Sequence, residues 1–150
     1  RVVDPEELHV AAQLLQRARL DVLRVRQEFL AQALDVGAFG AALRDEQGRI
    51  HAGANVENAA YPQSQCAEAS AIGVMVAAGG HKITEVLVIA DGSLGIPTPC
   101  GACRQRLREF TTLDAPIHLA VPAGVIRTIT AGELLPLSFG PEHLGKESVR

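Results

Sequence analysis

The three cysteines of this chain lie in two short motifs suited to binding a metal ion. Cys66 opens the run Cys66-Ala67-Glu68, and the other two lie in Pro99-Cys100-Gly101-Ala102-Cys103. Three thiolates can hold one Zn²⁺ and leave its fourth tetrahedral position open, which is typical of a catalytic zinc site. The spacing therefore predicts a zinc ion bound by Cys66, Cys100 and Cys103.

A glutamate follows the first cysteine closely enough to serve as a proton carrier. Glu68 lies two residues after Cys66, so it can reach the open zinc position without being a ligand. Both motifs also fall at predicted helix starts, where free N–H groups lower thiol pKa values and stabilise thiolates. A zinc ion held by three cysteines beside such a glutamate is the arrangement that zinc nucleobase deaminases use.

A structural role for the same cysteines is the alternative. A lone C-x-x-C pair is as typical of a structural zinc or a redox pair as of a catalytic site. A structural zinc would normally need a fourth cysteine or a histidine. No histidine lies at short ligand spacing from a cysteine; the histidines are His9, His51, His81, His118 and His143. The two motifs together favour the catalytic site.

Composition and charge favour a globular protein that acts on a small substrate. The chain has 150 residues, 47% hydrophobic and 21% charged, with a formal net charge of −3. No basic tract is present, so we expect no nucleic-acid partner. The odd number of cysteines favours a reducing compartment, which predicts a cytoplasmic protein. No signal peptide is predicted, and the longest apolar run, about residues 69–80, is too short to span a membrane.

Hydrophobic periodicity and turn signals predict the elements that must position the cysteines. The order αββαβαββα comprises a helix over 5–34, strands over 39–43 and 50–56, a helix over 66–78, a strand over 83–90, a helix over 100–110, strands over 117–121 and 125–129, and a helix over 131–135. The last two strands form a hairpin or, alternatively, a crossover pair. We expect one domain over residues 1–150, a three-layer α/β/α fold with a mixed five-stranded sheet.

Longer motifs along the chain resemble those of cytidine deaminases. The resemblance is carried by Asn55-Val56-Glu57-Asn58-Ala59-Ala60-Tyr61-Pro62, by Cys66-Ala67-Glu68, by Pro99-Cys100-Gly101-Ala102-Cys103-Arg104-Gln105, and by Glu133-Leu134-Leu135-Pro136-Leu137-Ser138-Phe139-Gly140-Pro141. The three-cysteine site and short length are similar to the homotetrameric branch of that family rather than to the longer dimeric branch with a histidine ligand. The resemblance implies zinc-dependent hydrolysis of cytidine and deoxycytidine, in pyrimidine salvage, with Glu68 as the catalytic proton carrier.

The same resemblance implies roles for residues that spacing alone would not single out. Asn55 and Glu57 match positions that hold the ribose hydroxyls, and an amide with a carboxylate suits a neutral diol. Tyr61 matches a residue given to a neighbouring subunit's site, and Phe139 matches an aromatic that packs on the pyrimidine across an interface. The expected substrate contacts are Asn55, Glu57, Phe39, Ala59, Tyr61, Ala67 and Phe139.

The chain departs from the family pattern in two places. Ala69 stands where an arginine usually bonds the cysteine sulfurs, so the zinc site is expected to be more negative unless Arg104 or another cation compensates. Gly37 stands at an aromatic position and Phe39 at a valine position, and the two share a strand face. This exchange either enlarges the base pocket or is a neutral repacking.

Other functions use part of the same residue set. A relative could deaminate a modified or N4-substituted cytidine or another aminopyrimidine nucleoside of the blasticidin type, although Asn55 and Glu57 favour a true ribose. A non-catalytic, zinc-stabilised interaction domain would not need Glu68 or Asn55. A polynucleotide deaminase would need a basic groove, which the charge balance does not offer.

Overall fold

A mixed five-stranded sheet is the centre of the fold. The computed structural model describes residues 39–92, 95–121 and 123–145. The elements are β1 (Gly40–Asp45), β2 (Ile50–Ala54), α1 (Ala67–Ala77), β3 (Ile83–Ile89), α2 (Gly101–Phe110), β4 (Pro116–Val121), β5 (Gly124–Thr130) and α3 (Ala131–Leu134), with short 3₁₀ helices at Tyr61–Gln63 and Pro141–Leu144. The sheet order is β2-β1-β3-β4-β5. The predicted α/β class and mixed five-stranded sheet are confirmed.

The pairing directions follow from the connections between strands. Strands β3 and β4 pair in parallel and are joined through α2, because parallel neighbours need a crossover. The other three neighbouring pairs are antiparallel. Strands β4 and β5 form the predicted hairpin, so the crossover alternative is wrong.

The main core lies between one face of the sheet and the helices α1 and α2. Strand side chains of alternate residues point to this face, as the period of two requires. Met75 of α1 and Leu107 of α2 are almost fully buried against them, and burying each contributes roughly 1.5–3 kcal/mol. The strand residues of this core include Ala41, Leu43, Ile83, Val86, Val88, Ile117 and Leu119.

Side chains on the opposite face of the sheet are also buried. Ala42, Leu87 and Ile89 alternate with the core residues and are all less than a tenth exposed. This burial is as expected for a sheet covered on both faces. The helix predicted over residues 5–34 and the residue Gly37 lie outside the described residues.

A buried aspartate fastens the β1–β2 turn to the far end of α1. The Asp45 carboxylate accepts hydrogen bonds from the backbone N–H groups of Gln47 and Arg49 at 2.9 and 2.8 Å. It also accepts from Arg49 Nε at 2.7 Å and contacts His51 Nε2 at 2.8 Å. Arg49 in turn donates to the carbonyl of Ala78, which ends α1. The β1–β2 turn is therefore attached to the end of α1.

The described elements match the predicted ones within one or two residues at each end. The strand predicted over 50–56 ends at Ala54, because Val56 leaves the ladder with β1 and pairs with Gln65 instead. The 3₁₀ helices fall where only loop or tail was expected. Among the residues described, no helix has the length and apolar character needed to cross a membrane.

Candidate active site

One edge of the sheet brings the predicted functional residues together. Gly40, which begins β1, pairs with Ala54 at the end of β2 and with Ile89 at the end of β3. Asn55 and Phe39 directly adjoin these ends, so both lie at this edge. The Val56–Gln65 bridge then brings the chain beside Cys66, the residue before α1. Register and connections thus place Asn55 and Val56 next to the first cysteine.

The three cysteine sulfurs form a cluster whose size suits a zinc ion. The Sγ atoms of Cys66, Cys100 and Cys103 all lie within 4.8 Å of one another. The Sγ atoms of Cys66 and Cys100 are 3.8 Å apart. Two sulfurs on a tetrahedral zinc with bonds of about 2.3 Å would lie about 3.8 Å apart. The donor set and its spacing therefore fit Zn²⁺, as predicted.

Both helices of the core begin at this cluster. Cys66 is the N-cap of α1 and Cys100 the N-cap of α2, as the sequence predicts. Although burial opposes ionisation, N–H groups of Cys103 and Ala102 help to hold the pKa of the Cys100 thiol below its ordinary value. The start of α2 therefore stabilises a thiolate at this position.

The other two thiols show the opposite effect. Burial raises the pKa of Cys103 well above its ordinary value, and the neighbouring Glu68 carboxylate raises it further. Burial also raises the pKa of Cys66, together with the charges of Cys100 and Glu68. For Cys66 and Cys103, burial and the neighbouring negative charge outweigh the lowering of thiol pKa that is expected at a helix start. A divalent cation would neutralise this charge and allow all three to bind as thiolates.

Glu68 lies beside the cysteine cluster and away from solvent. It occupies the first turn of α1 and is only 4% exposed. Its carboxylate is close enough to Cys103 to raise the pKa of that thiol. A buried carboxyl group beside a metal site is suited to exchanging protons with a bound substrate.

A glycine beneath α1 allows the close approach that places Glu68. A Cβ atom at Gly53 would collide with the backbone of Ala67 and Ala71. The helix therefore packs directly on β2, two residues before Asn55. Ala67, predicted as a substrate contact, is fully buried at this contact.

Asn55, Glu57 and Phe39 form one hydrogen-bonded group at the edge of the sheet. The Asn55 side-chain oxygen accepts from the Phe39 N–H at 2.8 Å, and its nitrogen donates to Glu57 Oε1 at 2.8 Å. The Phe39 carbonyl also accepts from the Asn55 N–H at 3.1 Å. The orientation of the Asn55 amide is therefore fixed, with Glu57 held next to it.

Three predicted substrate contacts instead face solvent in the single chain. Tyr61 is 84% exposed and Phe139 is 57% exposed, and Ala59 is exposed as well. Because these two aromatic side chains are so exposed, they are available for contacts with another subunit. Their roles in a substrate site stay predictions.

Arg104 contacts backbone and hydroxyl oxygens rather than sulfur. Its three side-chain nitrogens donate to Pro99 O at 2.8 Å, Leu134 O at 3.1 Å and Thr98 Oγ1 at 3.1 Å. None of these three hydrogen bonds reaches a cysteine sulfur. The effect of Ala69 on the zinc site stays a prediction.

The sequence analysis did not identify the residues of α2 that hold the C-terminal segment, residues 138–142. Gln105 donates to the carbonyl of Phe139 at 2.9 Å, and the buried Arg108 pairs with Glu142. No sequence signal indicates this contact, because arginine is usually exposed and the positions three and four residues from Arg108 are all polar. Its partner lies 34 residues away, so sequence alone could not name it.

Known proteins show a matching sequence pattern and fold. Residues 12–118 match the family model described as the cytidine and deoxycytidylate deaminase zinc-binding region. Over 105 residues, the chain is 39% identical to a cytidine deaminase of Halalkalibacterium halodurans, covering 70% of this chain and 79% of that protein. A cytidine deaminase of Sporosarcina psychrophila is 41% identical over 105 residues, or 70% and 76% of the two chains.

Solved structures agree with these sequence matches. The crystal structure of cytidine deaminase from Burkholderia pseudomallei superposes with a TM-score of 0.66 at 31% identity, covering 91% of this chain and 100% of that one. The cytidine deaminase structure from Mycobacterium tuberculosis gives a TM-score of 0.59 at 31% identity, covering 78% and 99%. Zinc is accordingly the metal that the cysteine cluster suits. The chain belongs to the cytidine and deoxycytidylate deaminase family.

Proposed function

We propose that this chain hydrolyses cytidine and deoxycytidine to uridine and deoxyuridine with release of ammonia. The observation that carries the proposal is the position of Glu68, buried beside the three cysteine sulfurs. Asn55 and Glu57 lie at the same edge of the sheet, where a nucleoside could contact both groups at once. The relatives named above are cytidine deaminases, which supports the same substrate class.

The cysteines would hold the cofactor. Zinc bound by the thiolates of Cys66, Cys100 and Cys103 would act as a Lewis acid that makes water a better nucleophile near neutral pH. The starts of α1 and α2 orient the ligands, because Cys66 and Cys100 cap these helices. Cys100 is exposed in the single chain and Cys103 is buried, so the cluster is accessible from the side of Cys100. A nucleoside can enter from that side.

Glu68 would move the protons of the reaction. As water adds to C4 of the base, Glu68 accepts a proton from the water and delivers it to N3. Glu68 then transfers the remaining hydroxyl proton to the amino group, the C4–N bond breaks, and ammonia leaves. One carboxyl group can serve both transfers because it is shielded from bulk water.

Asn55 and Glu57 would bind the sugar. The Phe39 N–H occupies the Asn55 side-chain oxygen, so the Asn55 amide nitrogen faces Glu57. An N–H donor and a carboxylate side by side can bind the two hydroxyls of a ribose, one as acceptor and one as donor. Because the pair is already oriented, little order has to be imposed when the nucleoside binds.

The active protein is proposed to be a homotetramer with shared sites. The exposed Tyr61 and Phe139, with Ala59, would complete the site of a neighbouring subunit.

All three cysteines are free thiols, which supports a reducing, cytoplasmic location. Conversion of cytidine to uridine there would serve pyrimidine salvage, and one domain over residues 1–150 would be sufficient for it.

A substrate panel tests the proposed function. Absorbance change and ammonia release are measured with cytidine, deoxycytidine, cytosine and N4-substituted cytidines, using zinc-replete protein. We expect comparable turnover of the two cytidines and much slower turnover of cytosine, which lacks the sugar. Glu57→Gln should raise KM for cytidine, and the matched exchange Glu109→Gln on the exposed side of α2 should not. Faster turnover of an N4-substituted analogue, or none of either cytidine, would overturn the proposal.

A further inference from the structure

Helix α2 holds the C-terminal segment on both sides of Phe139. Gln105 Nε2 donates to the Phe139 carbonyl at 2.9 Å. Arg108 Nε donates to Ser138 Oγ at 2.9 Å, and the same guanidinium forms an ion pair with Glu142. We infer that Gln105, Arg108 and Glu142 form a clamp that positions Phe139 to stack on the substrate base. This inference rests on the proposed function.

The burial of Arg108 keeps the clamp closed. Arg108 is 4% exposed, and a buried guanidinium is costly unless its hydrogen bonds and charge are satisfied. Its side-chain partners Ser138 and Glu142 both belong to the C-terminal segment. If that segment left α2, Arg108 would lose both the ion pair with Glu142 and the hydrogen bond to Ser138. The segment therefore has one strongly preferred position.

A glycine lets the segment pass directly over the arginine. A Cβ atom at Gly140 would collide with the Arg108 guanidinium and the Glu142 carboxylate. The φ of Gly140 is −140°, which any residue adopts, so the reason for glycine here is space. The close contact sets the path of the chain immediately after Phe139.

The Phe139 ring is supported on one side and open on the other. It stacks on His143 with ring centroids 5.1 Å apart and an interplanar angle of 21°. His143 Nδ1 accepts from the Gly140 N–H at 3.0 Å, so the imidazole is itself held in place. The Phe139 side chain nevertheless stays more than half exposed. A held, open ring is suited to stacking on a planar base.

The same helix carries zinc ligands at its start. Cys100 caps α2 and Cys103 lies in its first turn. Arg104 ties the Pro99 carbonyl to the Leu134 carbonyl, thereby joining the cysteine loop to the end of α3. The helix that carries two of the three zinc ligands therefore also holds the segment that contains Phe139.

Three variants of α2 test the clamp. Gln105→Ala removes the hydrogen bond to Phe139, and Arg108→Lys keeps the charge opposite Glu142 but loses the second donor. Arg106→Ala, on the exposed side of the same helix, is the matched control. We expect Gln105→Ala and Arg108→Lys to raise KM for cytidine about two- to tenfold, the range of a stacking contact. The kcat, zinc content and sedimentation of each variant should stay as in the wild type.

A double-variant cycle separates positioning from general stability. If Gln105 acts through Phe139, Gln105→Ala should add nothing to the KM of Phe139→Ala. Additive effects in the double variant would overturn the inference, as would an unchanged KM in both clamp variants. A fall in kcat and zinc content at unchanged KM would also contradict it. If Arg108→Lys fails to fold, the cycle with the exposed Gln105 still decides the matter. Wild-type turnover of cytidine is measured first, so a failure of the proposed function is recognised separately.

Discussion

The residues that carry the chemistry are few, and their types explain much of what they can do. Cysteine sulfurs bind zinc, and a carboxyl group two residues away can exchange protons without joining the ligand set. Sequence therefore predicts Cys66, Cys100, Cys103 and Glu68 as one site, and the structure brings the three sulfurs together. Sequence cannot show that Glu68 is buried, because burial depends on how α1 packs on β2.

Replacement of the buried carboxyl group tests the proton-transfer role of Glu68. Glu68→Gln keeps the size of the side chain but removes the base, so kcat should fall by at least about 10²–10⁴. Zinc content and unfolding temperature should change little. Steady-state kinetics with metal analysis make the comparison, and Glu109→Gln serves as a surface control. Near-normal turnover by a zinc-replete Gln variant would be incompatible with the role.

Two positions that precede β1 in the sequence, Gly37 and Phe39, test the predicted shape of the base pocket. Phe39 is held at the edge of the sheet through its backbone contacts with Asn55. With Gly37 in place of an aromatic, we expect the wild type to accept bulkier groups on the pyrimidine. Gly37→Phe combined with Phe39→Val should narrow that tolerance and spare cytidine, whereas either single change should do worse. Relative kcat/KM values over a series of base-substituted cytidines give the answer. If the wild type discriminates against enlarged cytidines at least as strongly as the double variant does, the exchange at positions 37 and 39 is a neutral repacking.

Helix and strand limits are largely local, and the sequence predicts them well. Both cysteine helices begin as expected, each after a cysteine in extended conformation, and Ala67 and Glu68 at the start of α1 are good helix formers. The contacts between elements are not local. Register alone brings Ala54 and Ile89 to the same edge of the sheet, and the clamp around Phe139 joins residues 34 positions apart. Such contacts depend on the whole fold, so sequence pattern could not predict them.

The Asp45 turn predicts how stability responds to acid. Burial opposes ionisation of Asp45, but hydrogen bonds from His51, Arg49 and Gln47 outweigh it and lower the pKa from 3.8 to about 2. The carboxylate therefore contributes fully above pH 4, and its contribution of about 2 kcal/mol is lost as pH falls toward 2.

The variant Asp45→Asn separates the contribution of the Asp45 carboxylate from the loss of zinc, which acid also causes. Denaturant unfolding is followed between pH 5 and pH 2 for the wild type and for Asp45→Asn. The difference in unfolding free energy between them should shrink as the pH falls, because protonation makes Asp45 uncharged like asparagine. Loss of zinc affects both proteins and cancels in the difference. Glu109→Gln should show no such trend. A constant difference across the range would mean that Asp45 is not the titrating group.

At the scale of the whole molecule, the predicted site residues of the single chain fall into two groups. Asn55, Glu57, Glu68 and the cysteines meet at one edge of the sheet, whereas Tyr61 and Phe139 face solvent. The sequence predicts the sheet and its order of elements from periodicity. Only the resemblance to known deaminases suggests that exposed residues serve another subunit, because no physical rule on a single sequence identifies a partner's pocket.

Mixing two defective proteins tests the shared site. Glu68→Gln lacks the proton carrier, and Phe139→Ala lacks the aromatic that a neighbour would use. If the chain assembles as proposed, mixed oligomers should contain sites that combine an intact Glu68 with an intact Phe139 from another chain. A fraction of the sites should therefore show the wild-type KM. Kinetics after co-refolding, with sedimentation to confirm assembly, provide the measurement. If the kinetics of the mixture equal the sum of those of the two separate variants, or if a monomer is fully active, the sites are not shared.

Return of zinc to stripped protein tests the central claim most directly. Chelator-treated protein is titrated with Zn²⁺ while bound metal and cytidine deamination are measured in parallel, with Cys100→Ala as the comparison. We expect activity to rise in proportion to bound zinc and to level off at about one ion per chain. Cys100→Ala should bind zinc poorly and stay inactive. Full deamination by the zinc-free protein, or normal zinc uptake and turnover by Cys100→Ala, would contradict the account.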